Sequence, residues 1–301
     1  MSAFNNINRC GYIAILGRPN VGKSTLLNYI LGQKISITSD KPQTTRHQVL
    51  GIKTSSVAQS IYVDTPGLHQ NSKKAMNRYM NRAASSIIND VDIIVFVVDA
   101  LNWTDEDQSI VDKLIEVNAP VILVVNKIDK LGNKNRLLPA LESLSSKMDF
   151  TDIIPVSAKR GSNVDRLENI IERLLPESPA FFPEEQVTDK SEKFLAAELI
   201  REKLMRKLGA ELPYALTVEI ERFSDKKDLI SIDALVWVER PSQKSIVIGK
   251  NGSLLKSVGK QARQEMEKMF DKKVFLQLWV KVKEKWSDDE RMLRLLGYTE
   301  Q

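Results

Sequence analysis

The chain has 301 residues, enough for two domains with separate cores, and an ordinary mix of 42% apolar and 28% charged side chains. No apolar run reaches the length of a membrane span, no export signal is evident, and the single cysteine, Cys10, has no partner for an internal disulfide. The net charge of +5 lies wholly in the last third: residues 1–189 carry 21 basic and 21 acidic side chains, residues 190–301 carry 23 and 18. With only two histidines, His47 and His69, a zinc cluster is not expected. These features predict a cytoplasmic protein whose C-terminal part meets an anionic partner.

Tyr12–Leu16 reads as a short buried strand and Ser24–Leu31 as a helix. Between them Gly17-Arg18-Pro19-Asn20-Val21-Gly22-Lys23-Ser24 fits the phosphate-loop pattern GxxxxGK[ST]. Its glycines let successive N–H groups and the helix N-terminus point at an anion. Lys23 is placed to reach the outer phosphates and Ser24 to hold Mg²⁺, with Thr25 completing the phosphate-binding set.

Gln33–His47 is polar and aperiodic, a long loop. Strands are expected at Gln48–Thr54, Ser60–Val63, Val91–Val98, Val121–Val125 and Ile153–Val156. Helices are expected near Lys74–Asn89, Asp105–Asn118, Asn135–Met148 and Val164–Leu174. This alternation predicts an α/β fold, a mostly parallel sheet with helices on both faces and ligands at the carboxyl ends of the strands.

The polar motifs fall at those ends. Asp64-Thr65-Pro66-Gly67 follows the third strand; Asp64 can reach Mg²⁺ and the Gly67 N–H can sense a terminal phosphate. Asn126-Lys127-Ile128-Asp129 follows the strand ending at Val125. Asp129 can accept from both the ring N–H and the exocyclic amine of guanine, a pair that adenine lacks. Asn126 would tie this loop to the phosphate loop, and Lys127 would cover the base with its stem. Ser157-Ala158-Lys159 would set a backbone N–H against the guanine oxygen.

In this order, the motifs of residues 9–175 resemble a small GTPase domain of the bacterial assembly-factor type. The resemblance implies GTP/GDP and Mg²⁺ as ligands. It also implies that a threonine before the second strand closes on the metal: Thr45, immediately before Arg46, is favoured, with Thr44 the alternative. Lys23, Thr45 and Gly67 then carry the transition-state and switch roles. Many GTPases place a water-orienting glutamine after the Asp-x-x-Gly turn, but here Leu68 stands there, and no general base is evident. Hydrolysis should therefore be slow without help. Asn20 matches the position that, in related GTPases, helps hold K⁺ near the phosphates.

Pro176-Glu177-Ser178-Pro179 and Pro183 break helix, so residues 176–190 read as a linker. A second unit, residues 191–286, follows in the order helix (191–208), strand (215–223), strand (230–239), short helix (243–249), helix (253–270), strand (273–283). Leu254, Val258, Ala262, Met266 and Phe270 step by four as a buried stripe. Gly249-Lys250-Asn251-Gly252 lies between the last two helices, preceded by Ile248. Between Glu239 and Glu265 stand Arg240, Lys244, Lys250, Lys256, Lys260 and Arg263, and no acid. The order resembles an α+β type II KH domain, whose GxxG turn clamps single-stranded nucleic acid. Residues 287–301 are expected to be a helix capped by Ser287, plus a tail.

A GTPase domain followed by a type II KH domain, with Glu211-Leu212-Pro213-Tyr214 leading into the first strand, resembles the Era family. That resemblance implies a GTPase that binds RNA near the 3′ end of 16S rRNA, assists 30S subunit maturation, and is linked to cell growth or the cell cycle. It also implies a monomer with peripheral association to the inner membrane. An RNA-modifying enzyme, or a constitutive RNA-binding protein with GTP as a structural ligand, is the alternative. The first would need a catalytic cysteine, cofactor fold or metal site outside the GTPase part.

Overall fold

The computed structural model describes residues 7–39, 41, 44–66, 75–86, 88, 90–132, 135, 137–209 and 212–298, with only the backbone at 81–86, 213 and 214. Gln43, Gly67, Leu68, His69 and Glu211 lie outside the described residues. In chain order the elements are β1 (Arg9–Leu16), α1 (Lys23–Leu31), β2 (Val49–Thr54), β3 (Ala58–Asp64), α2 (Ala75–Ser86), β4 (Ile93–Asp99), α3 (Asp105–Leu114), β5 (Val121–Asn126), α4 (Leu137–Ser145), β6 (Asp152–Pro155) and α5 (Val164–Leu174). Then come α6 (Glu192–Lys207), β7 (Leu216–Lys226), β8 (Leu229–Val238), α7 (Pro241–Ile248), α8 (Ser253–Phe270), β9 (Lys273–Val282) and α9 (Glu290–Leu295).

The chain divides into two compact units. Met1–Ser36, Thr45–Gln70 and Met80–Asp189 form the first; Ile37–Thr44, Asn71–Tyr79 and Lys190–Gln301 form the second. The first unit holds a six-stranded sheet in the order β2-β3-β1-β4-β5-β6, parallel except for β2 against β3. β3 and β5 are buried along their whole length and β4 from Ile93 to Val98, which is why β4 and β5 read as nearly continuous apolar runs, while β3 also buries Gln59 and Ser60. Register then places the chemistry. Ile15 pairs with Asp64, and Asp99 pairs with Asn126, so the strand ends that carry the motifs lie along one edge of the sheet.

The proline-rich stretch is not a free linker. Residues 176–189 lie along the first unit: Ile52 donates its N–H to Val187 O at 2.8 Å, and Leu50 donates to Asp189 at 3.0 Å. The buried Gln59 side chain accepts from the N–H groups of Phe181 and Phe182 and donates to Phe182 O. The prolines stop a helix, but the unpaired groups of β2 and the Gln59 amide still need partners, and the strap supplies them.

In the second unit β8 lies between β7, antiparallel, and β9, parallel. Ile230, Ile232, Ala234, Val236 and Val238 alternate along β8 toward Leu199, Ile200 and Leu204 of α6 and Val258, Ala262 and Met266 of α8. The predicted stripe is therefore core, with Leu254 and Phe270 packed at its ends. The start of the last helix differs from the expectation. Ser287 does not cap the last helix; it sits buried in a 3₁₀ turn, Trp286–Asp288, its hydroxyl on Glu239. Burial of Trp286, whose indole donates to Ala215 O at 3.1 Å, fixes that turn. α9 instead starts after Asp289, whose carboxylate accepts from the N–H groups of Arg291 and Met292.

Candidate nucleotide and nucleic-acid sites

The loop after β1 is built for close approach. Gly17 has φ +145°, and a Cβ there would lie 2.3 Å from Val97 O. Gly22 has φ +106°, and its Cβ would lie 2.3 Å from the Asn126 amide. Both positions exclude any side chain. Lys23 opens α1 from beneath the loop, its ammonium on the carbonyls of Gly17 (2.7 Å) and Arg18 (3.0 Å). Burial lowers its pKa to about 8. Arg18 reaches outward to the buried carboxylate of Asp107 at 3.0 Å, which also holds the Thr104 end of α3. No motif signals this brace.

Ser24, Thr45 and Asp64 converge. Ser24 Oγ lies 2.8 Å from Asp64 Oδ2 and 3.0 Å from Thr45 Oγ1. Asp64 is fully buried, burial raises its pKa, and its Oδ1 has no hydrogen-bond partner among the described residues. Two hydroxyls and a carboxylate with a spare buried oxygen are a hard-oxygen donor set, and this set fits Mg²⁺. Thr44 is directed elsewhere, its hydroxyl on Lys41 O at 2.6 Å. Geometry thus separates the two threonines that the sequence left side by side. A further hydroxyl, Ser36 Oγ, donates to Asp64 Oδ2 at 2.7 Å, and Asn28 holds Ile35 and Ser36 through their backbone. Ser36 lies in an aperiodic polar loop, where nothing in the sequence marks it. Thr65 turns back into the sheet, its hydroxyl 3.3 Å from Ile15 O.

Asn126 joins three loops. Its amide donates to Val21 O at 2.8 Å and its oxygen accepts from Ala158 N–H at 2.9 Å. Lys127, at φ +66°, sends its ammonium to Asn20 O (2.6 Å) and Asp99 (2.8 Å), which lays its stem along the phosphate-loop side of the site. Asp129 accepts from Ser157 Oγ at 2.6 Å, and that bond leads the causes holding its pKa below the usual value. The charged form needed to accept two guanine donors is therefore favoured. Within Ser157-Ala158-Lys159 the first two N–H groups are already used, by Ser162 O and Asn126.

In the second unit Gly249 (φ +74°, ψ 172°), Asn251 (φ +52°) and Gly252 (φ +74°, ψ 10°) form a tight turn into α8. Lys250 and Asn251 are exposed, as are Lys256 and Lys260 one and two turns along α8. A Cβ on Gly249 would meet Leu254 at 2.8 Å, whereas nothing lies within 4 Å of one on Gly252. Ile248 packs into the core beside the turn. The turn therefore offers bare backbone between exposed cations, a surface that suits a sugar-phosphate chain.

Residues 12–127 match the family described as 50S ribosome-binding GTPase, and residues 211–287 match the KH domain. The GTPase Era of Ectopseudomonas mendocina is 59% identical over 292 residues, covering 97% of this chain and 98% of that protein. The chain belongs to the Era family of GTPases. The Era of Marinobacter nauticus is 57% identical, with 98% and 97% covered. Among solved structures, Era in complex with MgGDPNP and nucleotides 1506–1542 of 16S ribosomal RNA superimposes with a TM-score of 0.93 at 40% identity, covering 97% of this chain and all of that one. An Aquifex aeolicus Era variant bound to GDP·AlF₄⁻ gives the same values. Era-family membership accounts for the pairing of a guanine-nucleotide site with a KH domain in one chain.

Proposed function

We propose that this chain is a GTP-controlled RNA-binding factor of 30S subunit maturation. It hydrolyses GTP to GDP and phosphate, and its KH domain takes single-stranded RNA near the 3′ end of 16S rRNA. The observation that carries this reading is the convergence of Ser24, Thr45 and Asp64, with the Asp129 carboxylate held by Ser157, in a chain that also presents the Gly249–Gly252 turn. The relative solved with a GTP analogue and 16S rRNA supports it.

The residues divide the work. Backbone N–H groups from Gly17 to Thr25 cradle the phosphates, and Lys23 exchanges the carbonyls of Gly17 and Arg18 for phosphate oxygens. Asp129 selects guanine. Ser24, Thr45 and Asp64 hold Mg²⁺, which when bound neutralises charge on the outer phosphates. The Gly67 N–H would report the terminal phosphate, with Pro66 and Leu68 its neighbours in sequence. Leucine can neither orient nor polarise water, so the rate comes from positioning and stays low without a further factor. Asn20 would help hold K⁺, which would add positive charge near the phosphates. On the RNA side Ile248, Gly249, Asn251 and Gly252 line the contact, and Lys250, Lys256 and Lys260 neutralise phosphates.

The same reading makes the chain a cytoplasmic monomer with peripheral inner-membrane association and a link to cell growth. Among the described residues no helix is long and apolar enough to cross a membrane. Phosphate release from GTP and from ATP tests the nucleotide assignment: Mg²⁺-dependent turnover with GTP alone is expected, and equal turnover with ATP rejects it.

A further inference from the structure

Three consecutive charged residues of α6, Arg201, Glu202 and Lys203, are buried, at 1%, 0% and 7% exposure. Burying charge is unfavourable unless each group is paired, and a core-facing helix needs none of it. Their partners explain the arrangement. Within the second unit, Glu202 accepts from Thr38 N–H (3.1 Å) and Thr38 Oγ1 (3.2 Å). Arg206 donates to Thr38 O through two nitrogens (3.1 and 3.0 Å), to Thr38 Oγ1 (2.9 Å), and to Glu202 (2.8 Å). Arg201, held by Glu198, donates to Thr44 O, and Lys41 donates to Leu208 O. Thr38 and Thr44 are thus both held by α6. The next residue in the chain is Thr45. On the other side, Lys203 pairs with Glu202 at 3.0 Å and with Glu265 of α8, the helix that the Gly249–Gly252 turn opens.

We propose that Arg201, Glu202 and Arg206 form a clamp that couples the metal ligand Thr45 to the RNA-binding turn, by way of Lys203 and Glu265. The proposal rests on the assignment of Thr45 to the metal and of the turn to RNA. These are positioning residues; none touches nucleotide or RNA. Thr45 follows Thr44 directly in the chain and lies 3.0 Å from Ser24, so a grip on Thr44 bears on where the Thr45 hydroxyl can sit. A triphosphate that recruits Thr45 therefore favours the closed clamp, and by reciprocity the clamp favours the triphosphate over the diphosphate. The connection is a continuous set of charge-assisted bonds, Thr38–Glu202–Lys203–Glu265, which a non-polar α6 would not provide.

Two variants of the full-length protein test it. Thr38→Val with Arg206→Gln opens the grip from its exposed side; Glu265→Gln cuts the link to α8 and leaves the grip. Affinities for GDP and for a non-hydrolysable GTP analogue are measured with Mg²⁺, and single-stranded RNA affinity is measured in each nucleotide state. The first variant is expected to bind the analogue about tenfold more weakly and GDP within about twofold of wild type, and to lose the nucleotide dependence of RNA binding. Glu265→Gln should keep the analogue-to-GDP ratio and lose only that dependence. A wild-type ratio in Thr38→Val/Arg206→Gln would overturn the clamp. So would equal loss of both nucleotides with a lowered Tm, the signature of a purely structural role. Wild-type RNA binding that ignores nucleotide would instead overturn the function on which the clamp rests.

Discussion

Asn126 donates to the carbonyl of Val21 at 2.8 Å and accepts from the N–H of Ala158 at 2.9 Å, so one buried amide fastens the phosphate loop to the Asn126–Asp129 and Ser157–Lys159 loops. Its neighbour Gly22 leaves no room for a Cβ against that amide. The nucleotide site is therefore a single braced unit, and removing its brace has a defined cost.

Asn126→Ala leaves Val21 O and Ala158 N–H without their partners. Each buried group left unpaired costs about 1–3 kcal/mol. Chemical denaturation should show the first unit destabilised by roughly 2–6 kcal/mol, with guanine nucleotide affinity reduced at least tenfold. Unchanged stability would mean that the loops are held by other contacts.

Asp129→Asn replaces an acceptor of two donors with a group that accepts at one end and donates at the other. GTP affinity should fall by about 2–3 kcal/mol, since a charged bidentate bond is lost. A base with a carbonyl in place of guanine's exocyclic amine should then bind better than guanine. Competition between the two nucleotides on the variant measures this directly, and a retained guanine preference contradicts it.

Lys23 gives the site a pH dependence. Burial lowers its pKa from 10.5 to about 8, below the unfolded value, so folding releases a proton between these limits. The nucleotide-free protein should gain stability as pH rises from about 8 toward 10.5. Phosphates restore the ammonium, so nucleotide binding should take up a proton near pH 8–9, and affinity should fall above pH 8 by up to tenfold per unit. Calorimetry in two buffers of different ionisation heat reads the proton uptake; a pH-independent affinity contradicts it.

Gly252 and Gly249 should separate binding from folding. Both have φ +74°, but only Gly249 would press a Cβ into Leu254. Gly252→Asp should cost about 1 kcal/mol of backbone strain, keep the fold, and lose RNA by setting a carboxylate among phosphates. Gly249→Asp should lose RNA and a further increment of stability. Thermal melts beside RNA titrations of the two variants check the difference.

Asn20 carries the monovalent-cation proposal. Turnover should be faster in K⁺ than in Na⁺, and Asn20→Ala should remove the difference. Equal turnover in the two salts rejects it.

Much of this was legible in the sequence because parallel α/β sheets make strand ends readable. An apolar run followed by Gly17–Ser24, Asp64 or Asn126–Asp129 names both the element and the site. Hidden parts depend on contacts remote in sequence. Thr44 and Thr45 are adjacent in sequence, and only the folded chain shows that one hydroxyl goes to Lys41 O and the other to Ser24. Arg201, Glu202 and Lys203 look like an ordinary charged helix surface until Thr38, Thr44 and Glu265 cover them. The proline-rich strap reads as linker because its partners, Gln59 and the β2 backbone, lie more than a hundred residues away. Ser287 and Asp289 are both good caps, and the burial of Trp286 decides between them.

The most direct test of GTP-controlled RNA binding uses a short single-stranded RNA copying the 3′ end of small-subunit ribosomal RNA. Its affinity is measured with GDP and with a non-hydrolysable GTP analogue, in wild type and in Gly252→Asp. Tighter binding with the analogue, abolished in the variant, is the predicted result. Equal affinity in the two nucleotide states would contradict the control by GTP, and binding that survives in the variant would contradict the assignment of the turn.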